Sequence, residues 1–142
     1  MTIHRRFPQS LGAVWKAWTD PELINLWFGS DPNGMVLHAR LDVRVGGSFE
    51  ITFRNSDQTE FTCFGTYQSV IPCQQLGFSW KWKNTPEVTE FVSVRLDSEV
   101  GGTNMIFEHT DIDPHTSHGY EAGWNRTFDK LAQTLVHVVE RR

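Results

Sequence analysis

The sequence contains only two cysteines, and their positions fit none of the usual cysteine-based frameworks. Cys63 and Cys73 form no CxxC pair and match no zinc-finger spacing. The alternatives are one disulfide or two free thiols. The pattern favours reduced cysteines that serve as packing residues, as is typical of a cytoplasmic protein.

Runs of positive charge and long apolar runs are also missing. The formal net charge is -4, and the basic runs are limited to Arg5-Arg6 and Arg141-Arg142. A phosphate backbone would be repelled overall, which argues against nucleic-acid binding. The N-terminal stretch MTIHRRFPQS lacks the apolar core of a signal peptide, and no segment reaches transmembrane length. We therefore expect a cytoplasmic protein that binds neither nucleic acid nor a membrane.

Aromatic residues, in contrast, are abundant: the 142 residues include ten Phe, six Trp and two Tyr. The hydrophobic fraction of 39% and the charged fraction of 21% are ordinary for a globular protein. This length predicts a single domain, residues 1–142, that can bury a sizeable core. Because aromatic side chains bury large areas, their number indicates a thick core or the wall of an apolar cavity.

Two short helices are predicted after a first strand over residues 2–6. Ser10 is suited to cap the first helix, whose apolar residues recur at helical spacing: Leu11, Val14, Trp15 and Trp18. Asp20 then supplies a second N-cap, with Pro21 at the first helical position. Gly29 and the following SDPNG stretch end this second helix in a loop.

From residue 36 to residue 109 apolar and polar residues alternate, which is typical of β-strands. The Gly46-Gly47 pair and the segments RNSDQ, IPCQQ, KNTPE and SEVGG supply the turns of a meander of about six antiparallel strands. The last segment predicts a long amphipathic helix with an apolar stripe of Tyr120, Trp124, Phe128, Leu131, Leu135 and Val138 or Val139.

This order predicts an α+β fold: a curved antiparallel sheet of about six to seven strands wrapped on a long C-terminal helix, with two short helices after the first strand. Such an arrangement leaves a space between sheet and helix that inward-facing residues would line. The predicted ligand-cavity residues are Phe49, Ile51, Phe53, Tyr67, Phe78, Trp80, Trp82, Val92, Val94, Met105, Phe107, His109, Trp124, Phe128 and Leu131. Tyr67 combines an aromatic body with a polar tip, which suits it to orient an apolar ligand.

The polar candidates indicate structure rather than catalysis. Asp42 and Arg44 are two residues apart, and we expect an ion pair that braces the adjacent glycine turn. Glu50 and Glu90 are predicted to face solvent. His109 ends the last strand, and we expect a satisfied buried histidine rather than a catalytic base, because the sequence shows no partner to orient it. No Ser-His-Asp order, phosphate-binding glycine loop or carboxylate pair is present, so no catalytic residue is predicted.

Several stretches together resemble the heat-shock protein 90 ATPase activator homologue family of the START-like (SRPBCC) helix-grip superfamily. They are VWKAWTDPELINLWFG (14–29), DVRVGGSFE (42–50), GTYQSVIPCQQLGFSW (65–80), GGTNMIFEH (101–109) and GW (123–124). These stretches follow the family's order and spacing and cover almost the whole chain. The resemblance implies a helix-grip fold with an open space between the sheet and the last helix.

The resemblance also implies a function: non-catalytic binding of a small hydrophobic or amphipathic ligand in that cavity, in a stress-related role. One alternative is a co-chaperone contact with a heat-shock ATPase. In the eukaryotic activators a separate N-terminal domain makes much of that contact, and here the resemblance begins within the first residues, so ligand binding is favoured. The other alternative is a polyketide cyclase or hydrolase that uses His109, Tyr67 and Arg44. A homodimer through an exposed edge strand stays open as well.

The segment HTDIDPHTSHGYEAGW, residues 109–124, raises the question of a metal site. It places His109, Asp111, Asp113, His115 and His118 within ten positions. A metal site needs ligands held in fixed geometry, and this segment has no HExxH or other rigid helical spacing. In the resembled family, a variable loop follows the last strand. We therefore predict a polar loop here, with no metal and no other cofactor.

Overall fold

A computed structural model describes residues 1–114 and 119–140 of the chain. The strands are β1 (Thr2–Phe7), β2 (Met35–Leu41), β3 (Ser48–Arg54), β4 (Glu60–Ile71), β5 (Gln75–Trp82), β6 (Glu90–Glu99) and β7 (Gly102–Thr110), and the helices are α1 (Leu11–Thr19), α2 (Pro21–Trp27) and α3 (Tyr120–Glu140). All seven strands pair antiparallel in one sheet, in the order β1-β7-β6-β5-β4-β3-β2. The predicted α+β helix-grip fold is confirmed.

The two short helices begin at the predicted caps. The Ser10 hydroxyl oxygen accepts the N–H of Ala13 at 3.2 Å, and Asp20 Oδ1 accepts the N–H of Glu22 at 2.9 Å. These bonds satisfy backbone donors that the first turn of a helix leaves without intrahelical partners. The caps therefore set the points at which α1 and α2 begin, and the two helices follow each other without an intervening loop.

The long helix α3 lies against the sheet through its apolar stripe. Four of the six predicted stripe positions are almost fully buried: Trp124, Phe128, Leu131 and Leu135. The Phe128 ring packs on Phe107 of β7 at a centroid distance of 5.0 Å. The stripe buries large apolar areas, and this burial supplies most of the driving force that holds the helix to the sheet.

The glycine pair before β3 forms the predicted turn. Gly46 has a φ of +85°, in the left-handed region that favours glycine, and a Cβ on Gly47 would lie 2.0 Å from the carbonyl oxygen of Asp42. The expected ion pair is present, with Arg44 Nε 2.9 Å from Asp42 Oδ2. Both side chains are largely exposed, so this pair adds little stability. Backbone hydrogen bonds hold the turn beside Tyr67: the Tyr67 N–H donates to the Gly47 carbonyl, and the Gly46 N–H donates to the Tyr67 carbonyl.

Glu90 corrects one prediction: it does not face solvent, because only 2% of it is exposed. Val92 and Val94 of the same strand point into the core, and Glu90 lies two residues before Val92. The alternation of the strand therefore places Glu90 on the inner face. Glu50 behaves as predicted: it lies on the outer face, where it accepts hydrogen bonds from His38 and Arg40.

The two cysteines are free thiols, as predicted. Cys63 is fully buried on the inner face of β4, whereas Cys73 is half-buried in the turn before β5. Burial raises the pKa of the Cys63 thiol. In the part of the chain that the structure describes, no helix is long and apolar enough to cross a membrane.

Candidate ligand-binding site

A pocket of about 360 Å³ opens where β3, β4 and β5 meet the end of α2 and the first turns of α3. Most of its wall is aromatic, and its polar groups are amides and hydroxyls. The lining residues are Phe28, Gly29, Ser30, Phe53, Asn55, Phe61, Trp80, Trp82, Asn84, Tyr120, Gly123, Trp124 and Thr127. None of these side chains carries a formal charge at neutral pH, so the wall combines apolar surface with a few neutral hydrogen-bonding groups.

The space between sheet and helix is open at one end and filled at the other. Of the predicted cavity residues, four line the pocket: Phe53, Trp80, Trp82 and Trp124. Four others surround a separate void of about 20 Å³, which has room for little more than one water molecule: Phe49, Ile51, Tyr67 and Phe78. The remaining seven are buried in the interior: Val92, Val94, Met105, Phe107, His109, Phe128 and Leu131.

Several lining residues were not among the predicted cavity residues. Asn55 and Asn84 continue the inward alternation of β3 and β5 two residues beyond Phe53 and Trp82, so the strand period was the signal that could have found them. Tyr120 was predicted in the helical stripe but not assigned to the cavity. Its place in the wall depends on how α3 meets β5, which no local pattern encodes.

A hydrogen bond from Trp124 fixes the protonation state of His109. The indole Nε1–H of Trp124 lies 3.1 Å from His109 Nδ1. An indole nitrogen can only donate, so Nδ1 must accept and carries no proton. The imidazole proton is therefore on Nε2, which donates to Glu90 Oε1 at 2.8 Å. His109 is thus a neutral imidazole, assigned from its hydrogen bonds.

Glu90 collects donors from three directions. Besides His109, the Tyr120 hydroxyl donates to Glu90 Oε1 at 2.8 Å, and the backbone N–H of Asp113 donates to Oε2 at 3.2 Å. Three donors satisfy a carboxylate that is ionised, because in this state both oxygens accept. Tyr120 accepts the indole N–H of Trp82 at 2.7 Å, so the network reaches from the core to the pocket wall.

These contacts define what the polar residues can do. The prediction that His109 is a satisfied buried histidine is confirmed, and its orienting partner is Glu90. Both ring nitrogens are engaged and the side chain is fully buried, so His109 does not reach the pocket. Burial raises the pKa of the Tyr120 hydroxyl, which keeps it protonated as a donor to Glu90. Tyr120 is therefore a member of the network that lines the pocket, together with Trp82 and Trp124.

The segment after β7 does not bring ligands together in its described part. Within residues 1–114 and 119–140, no group of three or more His, Cys, Asp or Glu side chains is arranged to hold a metal ion. Asp113 contributes its backbone N–H to the Glu90 network. The candidates His115 and His118 lie outside the described residues.

Comparison with known proteins gives a consistent result. Residues 9–136 match the family model described as Activator of Hsp90 ATPase homolog 1-like protein, which confirms the family resemblance predicted from the sequence. A search of the curated proteins found no match.

Three solved structures illustrate the shared fold. Protein NE0264 from Nitrosomonas europaea is 22% identical with a TM-score of 0.86, over 99% of this chain and 96% of that one. The AHSA1-like protein from Aeromonas hydrophila is 27% identical with a TM-score of 0.79, over 97% and 94% of the two chains. CalU16 from Micromonospora echinospora is 26% identical with a TM-score of 0.72, over 99% and 78%.

Proposed function

Because the chain belongs to the Activator of Hsp90 ATPase homolog 1-like protein family, we propose that it binds a small hydrophobic or amphipathic molecule in the pocket between its sheet and α3. The pocket carries this proposal: it measures about 360 Å³, has aromatic walls and offers a few polar groups such as Asn55, Asn84 and Tyr120. Ligand sites are typically concave and mostly apolar, with a small number of orienting polar groups. The volume is near the lower end for such sites, which suits a ligand of one or two rings.

The chemistry of the wall supports binding without catalysis. In the part of the chain that the structure describes, no lining side chain is ionised at neutral pH, and His109 is fully buried with both nitrogens engaged. The Tyr120 proton is committed to Glu90. A general base must lie within hydrogen-bonding reach of the proton that it removes, and among residues 1–114 and 119–140 these contacts leave no ionised group at the surface of the pocket.

The direct test is a titration followed by tryptophan fluorescence, with fatty acids, flavonoids, sterols and aromatic polyketides as probes. Trp80, Trp82 and Trp124 line the pocket and report on it. Saturable quenching by one chemical class is the expected result. The absence of saturable quenching by every class would contradict the proposal.

Two glycine variants separate the pocket from the rest of the surface. Gly123 lies in α3 on the pocket wall, where an added Cβ would meet only Ser30 Cβ at 3.7 Å. Gly123→Leu should fill the pocket and abolish the response while raising helix propensity. Gly12 is exposed in α1 with nothing within 4 Å of an added Cβ, so Gly12→Leu is the matched control and should bind normally. Equal binding by both variants would place the ligand elsewhere.

A second candidate is catalysis in the same pocket, which one observation favours. Tyr120 lines the pocket and its hydroxyl donates a hydrogen bond to the Glu90 carboxylate, so its oxygen could take a proton from a substrate while its own proton moves to Glu90. An enzyme of this kind would lose turnover but keep binding in Tyr120→Phe.

A co-chaperone, in contrast, would stimulate a heat-shock ATPase. The wild-type chain and the Gly123→Leu variant would then stimulate it equally.

A further inference from the structure

Glu90 is a buried negative charge whose described partners are all neutral. It accepts from His109 Nε2, the Tyr120 hydroxyl and the Asp113 backbone, and the bond from Trp124 keeps His109 neutral. Among residues 1–114 and 119–140, no lysine or arginine forms an ion pair with it. Neutral donors stabilise a carboxylate but leave its net charge in place, and a buried charge without a counter-ion is unfavourable.

This charge stands one side chain behind the pocket wall. Tyr120 lines the pocket, and its hydroxyl oxygen is 2.8 Å from Glu90 Oε1. Trp80, also in the wall, lies directly opposite Glu90 in the β5–β6 pair. The N-terminus of α3 contributes a positive partial charge. A helix end contributes only about half a positive charge, which is less than the full negative charge of the carboxylate. Glu90 therefore contributes a negative potential to the pocket.

The aromatic wall also favours a cation over an anion. The Trp80 and Trp82 rings meet at 89° with centroids 5.2 Å apart, and Phe53 and Trp124 are inclined to these rings at 61° and 60°. Rings set at such angles turn electron-rich faces in several directions. A cation held against aromatic faces and shielded from water is attracted by them, and this is how proteins recognise quaternary ammonium groups.

We propose that the pocket selects an organic cation, a quaternary or protonated amine carried on an apolar ring or chain. The buried Glu90 carboxylate behind an uncharged aromatic wall carries the inference. A cationic head group would place its charge against the rings and in the field of Glu90, while its apolar part would fill the remaining volume. The inference rests on the proposed function, since it names the chemical class that the same pocket would take.

Three phenols with tetrahedral para substituents of different charge provide the test, and the cationic and neutral members have the same shape. They are 4-(trimethylammonio)phenol, 4-tert-butylphenol and 4-phenolsulfonate, which carry a positive, a neutral and a negative head. Isothermal titration calorimetry on the wild-type chain should give the cation an affinity about thirtyfold higher than the neutral compound, with the anion weakest. The cation's advantage should persist at high salt, because a buried charge is weakly screened, unlike attraction to exposed charges on a chain whose formal net charge is -4.

Glu90→Gln removes the charge while keeping an oxygen acceptor. It should weaken binding of the cation by about tenfold and leave the neutral phenol within about twofold of wild type. Glu50→Gln removes the same charge from the outer face of the sheet, where Glu50 contacts His38 and Arg40, and should change neither affinity. If Glu90→Gln does not fold, the wild-type series and its salt dependence decide the question alone.

The outcomes distinguish this inference from the function on which it rests. Tightest binding of the cation, reduced by Glu90→Gln, supports the inference. Binding of the neutral compound as tight as that of the cation overturns it but leaves an apolar ligand site in place. A cation preference that disappears at high salt also overturns it, since the attraction would then come from the surface. No binding of any of the three compounds, together with no response to the wider probe panel, overturns both proposals.

Discussion

Replacement of Trp124 by alanine tests whether this ring belongs to the core or to an open pocket. Trp124 borders the pocket, but only 5% of the residue is exposed. Its ring packs against Phe107 and Phe128 at centroid distances of 4.6 and 5.6 Å. Truncation of a buried Trp or Phe to alanine costs about 3 to 5 kcal/mol, through lost burial and the cavity that remains.

Loss of the hydrogen bond from Trp124 to His109 adds to this cost. Without the indole N–H, His109 Nδ1 becomes a buried acceptor with one donor fewer, and an unsatisfied buried group costs about 1 to 3 kcal/mol. Because Trp124 borders the pocket, water can enter part of the space that its ring vacates, and this lowers the free-energy cost of the cavity. We therefore expect a loss of about 4 kcal/mol in the free energy of unfolding. Trp124→Phe keeps an aromatic ring but removes the N–H and part of the buried ring volume, so it should cost less than Trp124→Ala, about 1 to 3 kcal/mol.

Urea denaturation followed by far-ultraviolet circular dichroism measures both losses, because this signal does not depend on the replaced fluorophore. The m-value should stay unchanged, so that the shift in midpoint reports stability. Thermal unfolding should show a Tm lower by about 8 to 16 °C for Trp124→Ala. A loss below about 1.5 kcal/mol would refute the reasoning, since it would mean that the ring faces open space rather than packed side chains.

Two further predictions concern titrating groups. A hydrogen bond from the Ser56 backbone lowers the pKa of Asp31 below its ordinary 3.8, so the stability that this group contributes is present above that value and is lost as the pH falls through the lowered pKa. Asp31→Asn should therefore lose stability less steeply in acid than wild type, and identical acid unfolding curves would contradict this. For the thiols, Ellman's reagent should react readily with the half-buried Cys73 alone in the native chain and with Cys63 only after unfolding, whereas two rapidly reacting native thiols would show that Cys63 is accessible.

Part of the pocket could be predicted because strand alternation is a local property. Phe53, Trp80 and Trp82 occupy inward positions of β3 and β5, and the alternation alone places them on the face that meets α3. Glu90 obeys the same period as Val92, so the prediction that it lies out of register with the apolar face and faces solvent was wrong. A buried glutamate that breaks the usual preference for polar residues outside is the kind of exception that marks a functional position.

The contacts that make the site distinctive join residues far apart in the chain. Glu90, His109 and Trp124 come from β6, β7 and α3, and each satisfies a polar group that another of them presents. A buried polar group is tolerated only when its partners are in place, so the network forms only once those three elements are packed together. No spacing within any one element signals it.

The sequence by itself determined the elements, their caps, the order of strands and helices, and which face of each is apolar. These features follow from backbone propensities and hydrophobic periods of two and 3.6 residues, which act over a few neighbouring positions. Only the tertiary structure decided that the interior is filled around Phe107 and open beside Trp82, and that a carboxylate stands behind the opening. The reason is that a cavity is a difference between the volume that the elements enclose and the volume that their side chains fill, and that difference exists only when all the elements are together.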